Sequence, residues 1–158
     1  MKKRIQFLLL MLIFSGCFPV VCGAQSGLRI ASIFDRYGKQ KGVAMVELST
    51  EMLETYGMER YKSITIKDSH RALPEIRQCL ETDKKGAKKI KEIIEGGQLV
   101  SGYYQLPSRK EDLNRFILFK LSKKGAATLV YIEGELESDD LITLLFMVFS
   151  SRLSRTPS

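Results

Sequence analysis

Three strand-like segments in the C-terminal half of the chain restrict its fold most strongly. Residues 99–106, 115–121 and 126–136 are rich in Tyr, Phe, Ile and Val, which favour extended, half-buried backbone. A polar loop separates the first two segments, and a tight turn at Gly125 separates the last two. Strands joined in succession by such connections pair antiparallel, so the sequence predicts a three-stranded antiparallel meander.

The N-terminal half alternates between helix and strand signals. Apolar residues recur at i, i+3, i+4 and i+7 from Ile30, and this spacing predicts a first helix. Residues 43–48 form a compact apolar run that predicts a buried strand, whereas residues 61–67 alternate and predict a half-exposed one. Ser49 is expected to cap a short helix between the two strands.

Two further helices complete the pattern. Pro74 suits the first turn of a third helix, which we expect to run past Lys91 to a glycine pair. Ser138 is expected to cap a last helix, in which residues 141–149 are almost wholly apolar. This run is shorter than the roughly 20 residues that a membrane-spanning helix needs, so the helix is predicted to lie buried against the sheet.

Together these elements predict a single α+β domain in the order α-β-α-β-α-β-β-β-α. We expect a mixed sheet of about five strands that ends in the meander, with the helices packed mainly on one face. The domain is assigned to residues 25–150, and residues 151–158 to a disordered tail.

Residues 1–24 have the layout of a bacterial secretory signal peptide. A cationic start precedes a short apolar core, and small residues lead to a predicted cleavage between Ala24 and Gln25. Cleavage there leaves 134 of the 158 residues and lowers the formal net charge from +7 to +4, because the signal carries three cations and no acid. The sequence therefore predicts export to the periplasm or secretion.

A second processing route starts from Cys17. Residues 14–17 resemble a lipobox, at which Cys17 would receive a lipid and tether the protein to the envelope membrane. Phe14 stands where leucine is usual, so cleavage after Ala24 is the preferred prediction, and an uncleaved anchor is the remaining alternative. Contact with a membrane is expected only if Cys17 is lipidated.

Two short motifs resemble those of a known family. The segment 42–49, leading to Glu51-Met52-Leu53, and the segment 132–136, before Asp139-Asp140-Leu141, are similar to small exported Bacteroidetes proteins of uncharacterised function. That family is the domain of unknown function 4252 or a close relative. The resemblance implies a diderm bacterial source and export beyond the inner membrane. It implies no catalytic residue, since the family has no established activity.

The sequence offers no convincing catalytic, metal or cofactor site. Cys79 and His70 are the available nucleophile and base, but Cys79 shares an apolar helix face with Ile76 and Leu80 and is expected to pack in the core. A single histidine leaves only an oxygen-donor metal site, and no calcium-loop motif is present. We therefore predict no catalytic residue, no metal and no cofactor.

Two groups of residues are candidate contact surfaces. The lysines in the second half of the predicted third helix are possible anion contacts, although neighbouring acids offset their charge and specific nucleic-acid binding is not expected. They are Lys84, Lys85, Lys88 and Lys89. In the last helix, Phe146 and Phe149 are the candidate partner surface, because a helix apolar all round needs more cover than one sheet gives.

The function predicted from these features is non-enzymatic. We expect an envelope or secreted domain that binds another macromolecule, with an unknown envelope protein or ligand as its partner. The alternative is a small-molecule or lipid-binding protein with a pocket between the sheet and the last helix. An enzyme of unknown class is the third interpretation.

Overall fold

The structure is a computed structural model that describes residues 27–108 and 110–141. Helix α1 (Ala31–Tyr37) precedes the first strand, α2 (Thr50–Thr55) lies between the first and second strands, and α3 (Leu73–Asp83) lies between the second and third. The six strands are β1 (Val43–Glu47), β2 (Met58–Ile66), β3 (Lys88–Glu95), β4 (Gln98–Leu106), β5 (Asn114–Leu121) and β6 (Ala127–Gly134).

All described strands form one open sheet in the order β1-β2-β6-β5-β4-β3. Every neighbouring pair is antiparallel. The predicted single α+β domain is confirmed, whereas the predicted mixed sheet of five strands is wrong. The C-terminal half is a four-stranded meander, and β2 pairs with its last strand.

The additional strand is β3, which replaces the predicted continuation of the third helix. Helix α3 ends at Asp83, and Gly86 takes a left-handed backbone conformation at φ 76° that an α-helix does not accept. Gly96 and Gly97, with φ 56° and 74°, then form the tight turn into β4. Two consecutive left-handed residues are typical of a hairpin turn, so the glycine pair joins strands and does not end a helix.

Strand β1 also differs from its prediction. Ser49 caps α2 as expected, because its Oγ accepts a hydrogen bond from the Met52 backbone N–H at 3.4 Å. The preceding strand was predicted to be buried, but β1 lies at the edge of the sheet and four of its five residues are exposed. Its apolar residues therefore lack a neighbouring strand on the outer side within the described residues.

Two apolar cores lie on opposite sides of the sheet. On the side that we call the first face, α1 and α3 place Ile33 and Ile76 against strand residues that include Ile117. On the second face, Phe116 packs with Leu53 of α2 and with Leu141, the last described residue, which belongs to a helical segment that begins at residue 138. The described helices therefore occupy both faces, not mainly one. Among the described residues, no helix combines the length and apolar character needed to cross a membrane.

Candidate functional site

Several sequence-predicted site residues lie outside the described residues. They are Cys17, Ala24 and Gln25 of the N-terminal segment, and Phe146 and Phe149 of the last helix. The processing predictions and the predicted partner surface on the last helix therefore stay predictions.

Two of the four predicted anion contacts already hold a carboxylate of the protein. The Nζ atoms of Lys84 and Lys89 lie 3.2 and 3.1 Å from the two carboxylate oxygens of Glu92, and Lys84 also contacts Glu81 at 2.6 Å. The Tyr104 hydroxyl donates to Glu92 at 2.6 Å and is the largest cause that lowers the pKa of Glu92 to about 2. An external anion would have to compete with Glu92 for these two lysines.

Cys79 lies in the core of the first face and is 8% exposed, as its position beside Ile76 predicted. Burial raises the pKa of its thiol, and its Sγ lies 4.0 Å from the Ser32 hydroxyl. His70 is exposed in the turn before α3. Across residues 27–108 and 110–141, no three His, Cys, Asp or Glu side chains are grouped so as to hold a metal ion.

A cavity of about 460 Å³ opens on the first face, between α1 and strands β2 and β6. Its volume falls within the roughly 300–1,000 Å³ of small-molecule sites. One wall comes from α1 and the residues before it, and the floor comes from the sheet. The lining residues are Gly27, Leu28, Ile30, Ala31, Phe34, Asp35, Arg60, Lys62 and Tyr131.

Contacts with α3 fix the helical wall of this cavity. The Asp83 carboxylate accepts hydrogen bonds from the backbone N–H groups of Arg29 and Ile30 at 2.7 and 2.8 Å. At the other end of α1, the Tyr37 hydroxyl donates to Glu75 at 2.8 Å. Both ends of the wall are thus tied to a neighbouring helix, and a preformed wall lowers the ordering cost of binding.

Strand β2 supplies the cationic part of the cavity floor. Arg60 and Lys62 alternate onto the same face as Ile64, and a register shift with β6 between Met58 and Arg60 turns Met58 into the second core. Such bulges commonly redirect side chains beside functional sites. Lys62 contacts Glu47 at 2.9 Å, whereas Arg60 is exposed and has no carboxylate within 4 Å among the described residues.

Tyr131 is the third polar residue of the floor. It is 7% exposed, and its hydroxyl donates to a Glu133 carboxylate oxygen at 2.9 Å. Burial, followed by the negative charge of Glu133, raises the pKa of Tyr131 to about 12, so the residue is a neutral phenol at pH 7. The neighbouring Arg115 is buried and donates to the Pro107 carbonyl oxygen at 2.9 and 3.2 Å.

The cavity therefore combines an apolar wall with a cationic floor. Asp35 is the one acidic residue of the lining and lies on the helix, opposite the strands. One anionic group beside Arg60 and Lys62, with an apolar portion against Leu28, matches this arrangement, whereas a second negative charge near Asp35 would be repelled.

The cavity was not predicted from the sequence, although the sequence carries one signal for it. Arg60 and Lys62 precede Ile64 and Ile66 at a spacing of two residues. This alternation places the two cations on the same strand face as two core residues, where charged side chains need a partner or a solvent-filled space. Tyr131 carries no comparable signal, because its approach to Lys62 depends on the pairing of β2 with β6.

The described residues thus form an α+β domain with an open six-stranded antiparallel sheet and a cavity beneath α1. The model of a family of unknown function, DUF6108, matches residues 17–145, so the chain belongs to that family. The resemblance to the 4252 family is a separate prediction that this match does not test.

The chain was also compared with curated proteins and with solved structures. Among the curated proteins, none matches it. A solved structure of a protein of unknown function from Pseudomonas aeruginosa, PA94, is similar to it with a TM-score of 0.38 and 15% identity. The similarity covers 76% of this chain and 85% of the Pseudomonas aeruginosa chain. With a TM-score this low, it gives no information about function.

Proposed function

We propose that this chain is an exported, non-enzymatic binding domain of the cell envelope or the secreted fraction, and that its ligand is a small amphipathic monoanion. The observation that carries the proposal is the cavity of about 460 Å³ that joins an apolar helical wall to Arg60, beside which the described residues place no carboxylate within 4 Å. The site lies on the first face, opposite the side on which Leu141 packs, so it differs from the pocket predicted beneath the last helix.

The chemistry of the floor supports binding more than catalysis. Tyr131 is neutral at pH 7, and Lys62 is already paired with Glu47. The pKa of Tyr131, raised to about 12, lies far from the neutral range that a general acid or base needs. Arg60 offers a planar cation that can contact two oxygens of a carboxylate or phosphate group, and Leu28 offers apolar contact to the rest of the ligand.

Decanoate is a suitable probe, because it has one carboxylate and a single apolar chain. We expect saturable binding by isothermal titration calorimetry, with backbone amide shifts in a ¹⁵N NMR spectrum that concentrate at Gly27, Ala31 and Arg60. Decanol, which has the chain without the charge, should bind about tenfold or more weakly, since a hydrogen bond to a charged group contributes about 1.5–3 kcal/mol.

Arg60→Gln separates the site from general surface attraction. It should weaken decanoate binding about tenfold, whereas Arg71→Gln, which removes the same charge from an exposed position outside the cavity lining, should leave the affinity unchanged. Equal effects of the two substitutions, or a decanoate titration that never saturates, would contradict the proposal.

A further inference from the structure

The two edges of the sheet are built differently. Strand β3 carries Lys88, Lys89 and Lys91, and its pairing with β4 shifts register twice. Lysines and bulges on an edge strand hinder the addition of another strand. The β3 edge is thus protected against pairing with a further chain.

Strand β1 has neither of these features. Its five residues pair with β2 in unbroken register, and Glu47, at its end, is its one charged residue. Met45 and Val46 are 41% and 40% exposed, and two other exposed large hydrophobic residues, Met52 and Tyr56, follow in α2 and at its end. A regular, exposed edge strand whose only charge is at one end is a template for pairing.

The backbone groups of β1 that face outward can be assigned from the register. The Lys67 N–H donates to the Gly42 carbonyl oxygen at 3.0 Å, which makes that pair a hydrogen-bonded one. Because hydrogen-bonded and non-hydrogen-bonded pairs alternate, Ala44 and Val46 direct their backbone groups to β2. Met45 and Glu47 direct theirs away from the sheet, into the position that a further strand would take.

We propose that a second copy of this chain occupies this edge, with the two β1 strands antiparallel and Met45 at the two-fold axis. Each Met45 N–H then donates to the Met45 carbonyl oxygen of the other copy, and each Glu47 N–H donates to the other copy's Val43 carbonyl oxygen. The Val43 N–H takes no part, because it already donates to Gln40. The six described strands of each copy then join into one continuous sheet.

Charge placement favours a second β1 as the occupant. In this register each Glu47 lies opposite the uncharged Val43 of the other copy, so the two carboxylates are at opposite ends of the interface, each beside its own Lys62. Pairing of β1 with the β3 edge of another copy would meet the lysines and bulges of β3. It would also build an open-ended filament, whereas β1 with β1 closes as a dimer.

Charge substitution at the two-fold position tests this register. Sedimentation velocity of the purified protein, in the form that its host delivers, should show a monomer–dimer equilibrium with a Kd on the order of 10 µM. Met45→Lys and Met45→Glu should each weaken the dimer about tenfold or more, because each places like charges directly opposite one another. An equimolar mixture of the two variants should restore the dimer. Ile93→Lys and Ile93→Glu are the matched controls, since Ile93 is 38% exposed on the β3 edge.

Three results would overturn the proposal: a wild-type protein that stays monomeric throughout, Met45 variants that dimerise like the wild type, or a mixture that stays monomeric. Far-UV circular dichroism establishes that the variants are folded. If the Met45 variants lose their sheet signal, Val46→Lys takes their place, because Val46 also flanks the axis but points to the other face of the sheet. A dimer unaffected by Val46→Lys would likewise overturn the proposal.

Discussion

Replacing Glu92 by Gln removes the charged acceptor that joins α3 to the β3–β4 hairpin. The Glu92 carboxylate accepts from Tyr104, which is on β4, and contacts Lys84 and Lys89, which come from the end of α3 and from β3. Its side chain is 15% exposed. These contacts favour the ionised carboxyl and lower the pKa of Glu92 from 4.5 to about 2.

The displacement of this pKa sets the size of the effect. About 2.5 pKa units correspond to ~3.4 kcal/mol at 1.36 kcal/mol per unit. Because β3 is an edge strand, where solvent screens charge, we reduce this figure to about 2 kcal/mol. The folded pKa lies below the unfolded one, so the contribution is fully present above about pH 4.5 and is lost as the pH falls towards about 2. More than half of it is lost by about pH 3.

Urea unfolding of the wild type and of Glu92→Gln, at about pH 7 and about pH 3, measures this contribution. The variant should be less stable by about 2 kcal/mol at the higher pH, and the difference should fall below about 1 kcal/mol at the lower. Glu81→Gln, whose side chain is 61% exposed, should differ from the wild type by less than about 0.5 kcal/mol at both. A Glu92→Gln difference of the same size at both pH values would refute the reasoning.

Three further predictions concern the core and the chain terminus. Gly134→Ala should destabilise the domain by about 2–3 kcal/mol in urea unfolding. The new Cβ would clash with the backbone carbonyl oxygen of Gly57, the residue that precedes β2. An unchanged unfolding midpoint would contradict this packing. Cys79 should react slowly with a thiol reagent until the protein is denatured, and Cys79→Ser should cost about 1–3 kcal/mol; fast labelling of the native protein would indicate a reactive thiol. Mass spectrometry of protein from its host should find Gln25 as the first residue, whereas Cys17-dependent labelling by a palmitate analogue would establish the lipoprotein.

Local signals predicted those elements whose stability is itself local. The apolar spacing from Ile30 predicted α1, and Ser49 as a capping residue predicted the start of α2. The segments rich in aromatic and β-branched residues predicted β4, β5 and β6. Each of these features acts within one helix turn or along one strand, so a short window of sequence contains the whole interaction.

The errors arise where distant parts of the chain decide the structure. Lysine and glutamate in β3 are good helix formers, but the left-handed Gly86 and the pairing with β4 place these residues in a strand. Strand β1 has the apolar composition of a buried strand, and only the strand order shows that it is an edge. The cavity needs Arg60, Tyr131 and the helix α1 together, which no local pattern specifies.

The central seam of the sheet has a consequence for the rate of folding. Strands β3 to β6 form a meander of local hairpins, whereas β2 and β6 pair residues that are about 60 positions apart at Ile66 and Ala127. Closing a loop of that length costs about 3.6 kcal/mol of chain entropy, beyond a constant term, before the pairing returns any energy. Refolding therefore depends on how often the N-terminal strand pair meets the finished meander. We therefore expect substitutions at this seam to change mainly the folding rate, and substitutions in β3 to change mainly the unfolding rate.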